Sequence, residues 1–132
     1  MTANNTDRPK TLAEVADAVA NGDSFDLCLA NFLDEFYAAP AASALQGEPK
    51  LLASAADGLG HIQNAYLAAT AEELAQKFNL PRPSWVDAES RKLHRPWFAS
   101  SLAALRTTLL LESPPAFRSR NIFVSGNALM RV

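Results

Sequence analysis

The sequence predicts an all-α domain of four to six helices with an irregular C-terminal tail, and three observations carry that prediction. Alanine occurs 25 times and leucine 18 times, while valine and isoleucine together occur only 7 times. Alanine and leucine enter helices at little cost, whereas strands are built mainly from β-branched and aromatic residues. Phe25, Cys28, Leu29, Phe32, Leu33 and Phe36 recur at the spacing of one helical face. Gly22, Pro40 and the Ser113-Pro114-Pro115 run then punctuate the chain where helices should stop.

The length, 132 residues, suits one domain. A chain that is 48% hydrophobic and 20% charged can bury a core without disulfides or metals. Cys28 is the single cysteine, so an internal disulfide is ruled out. No apolar run reaches membrane-spanning length, and residues 1–10 lack the apolar centre of a signal peptide. The expectation is a cytoplasmic protein with no membrane association. Residues 1–10 are expected to form a flexible tail and residues 11–132 a single helical domain.

Thr11 reads as a helix N-cap, with Glu14 completing a capping box. Leu12, Val15, Ala16 and Val19 share one face before Asn21-Gly22 ends the helix. Asp23 or Ser24 caps the next helix, whose broad stripe predicts a central position. Residues 38–48 read as a loop with room for one helical turn. A helix is expected over residues 49–56, interrupted by Asp57-Gly58 and Gly60. Residues 59–79 are helical, as one helix or as two divided at a Thr70–Glu73 capping box. Pro81, Pro83 and Pro96 forbid continuous helix around Trp85 and Trp97. Phe98, Leu102, Leu105 and Leu109 mark the last helix, and residues 122–124 are the only strand-like run. The expected core joins Leu12, Val15, Phe25, Ile62, Tyr66, Leu74, Phe78, Leu102, Leu105 and Leu109 to the stripe from Cys28 to Phe36.

Motifs for catalysis are sparse. His61 and Asp57 lie one turn apart but are too few to define a metal site. Cys28 falls on an apolar face, where the thiolate is disfavoured. Asp34 and Glu35 are adjacent and point in different directions, unlike paired catalytic carboxylates. No Walker loop, dinucleotide fingerprint, nucleophile elbow or zinc-protease motif is present, and Arg91 and His94 are too close for the Arg–His spacing of HEPN-type RNases. The sequence therefore predicts no catalysis, no metal and no cofactor. A helix-turn-helix is also disfavoured. Residues 70–78 resemble its first helix, but Pro81-Arg82-Pro83 follows. Residues 24–39 carry Asp26, Asp34 and Glu35 and no basic side chain, which would repel phosphate.

Charge is uneven. Residues 1–81 carry 4 basic and 11 acidic side chains, a net of −7; residues 82–132 carry 8 and 3, a net of +5. Two readings compete: an electrostatic match inside the molecule, or a basic surface that meets an acidic partner or nucleic acid. The tail alternates Arg118 and Arg120 with Phe117 and Phe123. Its aromatics either pin the tail to the helices or frame a grip for phosphates and carboxylates. Trp97 is read chiefly as a packing anchor, with an interface hot spot as its functional alternative.

Residues 67–85, residues 95–98 (Arg-Pro-Trp-Phe) and residues 113–125 (Ser-Pro-Pro-Ala-Phe-Arg-Ser-Arg-Asn-Ile-Phe-Val-Ser), with Ala128-Leu129, carry a resemblance. They resemble an uncharacterised bacterial family of small helical proteins, most specifically in the last third. Similar modules occur behind repressor-type helix-turn-helix domains, and some members are encoded beside nucleotidyltransferase-like proteins, as in toxin–antitoxin pairs. The resemblance implies a partner-binding role and supplies no catalytic residues. The expected function is a non-enzymatic interaction module, antitoxin-like, that binds a protein through Arg118, Arg120, Arg131 and Trp97. A nucleic-acid-binding regulator using the same basic segment is the alternative. Homodimerisation is compatible with either.

Overall fold

A computed structural model of the chain describes residues 8–53, 58–100 and 103–131. Among them are six α-helices: α1 (Leu12–Ala20), α2 (Phe25–Ala38), α3 (Ser43–Gln46), α4 (Leu59–Lys77), α5 (Arg106–Glu112) and α6 (Pro115–Arg118). Two short strands, β1 (Trp97–Phe98) and β2 (Ile122–Phe123), pair in parallel with Trp97 opposite Ile122 and Phe98 opposite Phe123. The all-α expectation holds, and the strand-like run finds its partner at Trp97. No helix among the described residues is long and apolar enough to cross a membrane.

Helix boundaries follow from local chemistry. Thr11 Oγ1 accepts from Glu14 N–H at 3.1 Å, and the Glu14 carboxylate reaches back to Lys10 N–H at 2.7 Å. Gly22 then takes the left-handed conformation, with φ 106°, that lets the chain reverse. Ser24, rather than Asp23, caps α2 by accepting from Leu27 N–H at 3.2 Å. Asn79 closes α4 in the left-handed region, φ 57°, with Leu80 N–H donating to Ala75 O and Asn79 N–H to Gln76 O. That is a Schellman ending with asparagine where glycine is usual. Pro115 begins α6, where a missing N–H costs nothing.

The central helix is α4, not α2 as its stripe suggested. Ala65, Leu67, Ala68, Ala69, Ala71 and Leu74 are all fully buried on it. It packs against α6, β2 and the 3-10 turns Ser84–Asp87 and Glu89–Arg91. Alanines on most of its faces let these elements approach closely, and a helix covered on most sides carries no single stripe to read. It is one helix; Thr70 does not cap a second, because its hydroxyl donates to Tyr66 O at 2.8 Å.

Three further expectations are corrected. Residues 49–53 are not helical but irregular, and Asn64 holds them by accepting from Leu52 N–H at 2.7 Å and donating to Leu52 O at 3.1 Å. Phe98 belongs to β1, and α5 begins only at Arg106. Leu105 is 42% exposed and outside the core, because the 3-10 turn Ala103–Leu105 breaks the helical register that placed it beside Leu109. Leu102, Asp57 and the end of the expected helix over residues 49–56 lie outside the described residues.

Candidate functional site

An open cleft of about 790 Å³ lies between α2, the start of α4, β1 and the C-terminal segment. Its aromatic lining comes from Phe25, Tyr66 and Trp97. Phe25 and Tyr66 meet edge to face at 5.8 Å, and Tyr66 meets the buried Phe117 the same way at 5.0 Å. Phe25, Ile62 and Tyr66, expected in the core, are half-buried because they line this cleft. Leu59 and Met130, 49% and 64% exposed, extend the apolar lining outward.

One wall is the C-terminal segment, which Tyr37 and Arg131 tie to α2. Tyr37 Oη donates to Leu129 O at 2.7 Å. Arg131 Nε donates to the Asp34 carboxylate at 2.9 Å, which holds that carboxyl below its usual range. Arg8 approaches Asp34 and Glu35 at 3.8 and 3.7 Å. The wall is thus built from the basic tail leaning on the acidic flank of α2. Asp26, in the first turn of α2, also lines the cleft and makes no ion pair among the described residues. Burial, followed by the Asp26 charge, pushes the Tyr66 phenol up to about 12. Its hydroxyl is therefore a neutral hydrogen-bonding group throughout the physiological range.

The four residues singled out in the sequence part company here. Trp97 and Arg131 both line the cleft. Trp97 is brought there by β1, whose next residue, Phe98, stacks on Phe123 at 4.9 Å. Arg118 is exposed on α6 and does not line the cleft. Arg120 is 2% exposed and unavailable to a partner. Its guanidinium donates to Ala116 O at 2.7 Å and Val86 O at 2.9 Å and pairs with Glu72 at 2.6 Å. The left-handed turn at Asn121, φ 65°, follows it as the chain folds back from α6 into β2.

Arg91 is a second internal arginine. It is fully buried, stacks over Trp85 at 4.9 Å, and donates to Pro49 O and Asn64 O while facing Glu48. Trp85 in turn donates to Leu45 O at 3.0 Å, so the arginine–tryptophan pair ties α3, Glu48 and Pro49 to α4. Two of the eight basic side chains in residues 82–132, Arg91 and Arg120, are thus buried inside the fold.

No protein-family model, curated protein or solved structure matches this chain. The function of the cleft rests on its own geometry. Among the described residues no group of three or more potential metal ligands occurs. Sequence reasoning placed Phe25 and Tyr66 in the core, and the structure leaves both half-buried. The signal it lacked was the neighbouring wall, which comes from residues about a hundred positions away.

Proposed function

We propose that this chain is a non-enzymatic protein-interaction module whose docking surface is the cleft between α2, α4 and the C-terminal segment. The observation that carries this reading is the solvent-open apolar lining, in which Leu59 and Met130 are exposed and Trp97 half-buried beside Asp26 and Arg131. A small-molecule pocket encloses most of its ligand, whereas this cleft is open enough to accept a protein segment. A tryptophan with part of its ring open, as Trp97 has, is a typical interface anchor, and methionine adapts to the shape it meets. The polar groups supply charge and hydrogen bonds; a phenol with a pKa of about 12 is a poor base partner for catalysis. The resemblance of residues 113–125 to the bacterial family supports a nucleotidyltransferase-like protein as the partner, in an antitoxin-like role.

The test is affinity purification of the native protein from its own cells, with and without nuclease, alongside Trp97→Ala. The expected result is one dominant protein, insensitive to nuclease and lost from the variant while its melting temperature falls by only a few degrees. Recovery of nucleic acid alone, lost when the exposed Arg118 becomes Ala, would favour the regulator instead.

A further inference from the structure

Resting on that reading, we propose that the occupant of the cleft is an amphipathic partner segment whose apolar face is flanked by lysine or arginine. The argument is one of charge complementarity beside an apolar surface. Four acidic residues lie on or just before α2: Asp23, Asp26, Asp34 and Glu35, of which Asp26 lines the cleft. Arg131 and Arg8 answer Asp34 and Glu35, while Asp23 and Asp26 have no ion pair among the described residues. Arg131 is the cation in the cleft lining, and Asp34 already engages it. An incoming carboxylate would meet Asp26 and have to displace Asp34 from Arg131. An incoming ammonium or guanidinium meets an unpaired carboxylate directly.

Asp26 also favours its own helix, because an acidic side chain suits the positive end of α2. The carboxylate alone therefore implies no ligand. The second observation is the apolar lining next to it, with Leu59 and Met130 left open to solvent. The Tyr66 hydroxyl makes no hydrogen bond among the described residues and lies in the same lining. Apolar contact, one hydrogen-bonding group and an uncompensated negative charge are the complement of a basic amphipathic helix.

The experiment uses two synthetic helical peptides with the same leucine and phenylalanine face at i, i+3, i+4 and i+7. One carries lysine at the remaining positions and the other glutamate. Binding to the full chain is read by calorimetry and by the fluorescence of Trp97, since Trp85 is buried elsewhere. The lysine peptide should bind more tightly by roughly fivefold to tenfold at low salt, and the preference should shrink as salt is added. Asp26→Asn should remove much of it. Asp26→Lys should invert it, a gain for the glutamate peptide that misfolding cannot produce. Equal binding of both peptides, or a preference for glutamate in the wild type, overturns the basic chemistry but leaves a docking cleft. Binding of neither peptide overturns the docking reading itself. Lysine-peptide binding unaffected by Trp97→Ala places it outside the cleft and also overturns the inference.

Discussion

Arg118 and Arg120 stand two positions apart, yet one is exposed and the other is 2% exposed. Their difference sets opposite expectations. Removing Arg120 leaves Glu72 without its closest partner, takes the guanidinium donor from the Val86 carbonyl, and leaves Ala116 O with Ser119 Oγ at 3.2 Å. Breaking a buried ion pair from one side costs roughly 3 kcal/mol. Arg120→Ala should therefore lower the denaturant midpoint sharply, while Arg118→Ala should change stability by less than about 0.5 kcal/mol. Equal, small effects in both would return Arg120 to the surface. The sequence could not separate the two, because a charged side chain is outside by default and only the chain reversal between α6 and β2 turns one inward. Tyr66 makes a second prediction at this scale. Its phenol is raised to about 12, so the folded state holds the proton more tightly than an unfolded chain, whose tyrosine titrates near pH 10. The associated stability is complete below about pH 10 and is lost as pH rises toward about 12, on the order of 2 kcal/mol. Melting curves across that window should fall less steeply for Tyr66→Phe than for the wild type.

At the scale of elements, capping was legible and burial was only partly so. Thr11 and Ser24 act where their chemistry predicts, since a cap is a local arrangement of a few atoms; Pro115, read only as a stop before an irregular tail, instead starts α6. The surroundings of α4 were not legible, because they come from residues 48–53 and from everything after residue 83. Gly60 shows the limit. Helix propensity alone favours alanine there by about 1 kcal/mol. Yet a Cβ on Gly60 would sit 2.6 Å from the Ala53 carbonyl carbon and closer still to its oxygen. Residues 52–53 would have to lift away from α4, loosening the two bonds between Asn64 and Leu52. Overpacking of this kind costs roughly 2 kcal/mol, so the net effect of Gly60→Ala should be destabilising. Chemical denaturation reads the sign, and a stabilised variant would mean that the close approach does not exist in solution. Leu105 is the counter-case: helical spacing drew it into the core, but it ends the 3-10 turn before α5 and is exposed, as are Leu110 and Leu111 within α5. A periodic pattern marks a face without saying whether anything covers it.

At the scale of the whole molecule, the uneven charge finds its explanation inside the fold. Arg82 and Arg120 pair with Glu72, Arg91 with Glu48, and Arg131 with Asp34. Each of these pairs joins the acidic first 81 residues to the basic remainder. The apolar contacts do the same, since α6, β2 and the 3-10 turns at Trp85 and Arg91 all pack on α4. Neither half should be a folding unit. A cut after Pro81, in an exposed connection, should give two fragments, of net charge −7 and +5, without cooperative melting transitions of their own. Mixed, they should regain the helical circular dichroism and the melting transition of the intact chain, because the buried Phe117, Ile122 and Val86 have nowhere else to go. Attraction between the fragments should speed their encounter at low salt, with a rate that falls roughly tenfold or more as salt rises. Their final stability should fall much less, since the surface pairs contribute little and the Arg120–Glu72 pair is shielded by burial. A first fragment that melts cooperatively by itself would show two domains where the contacts describe one.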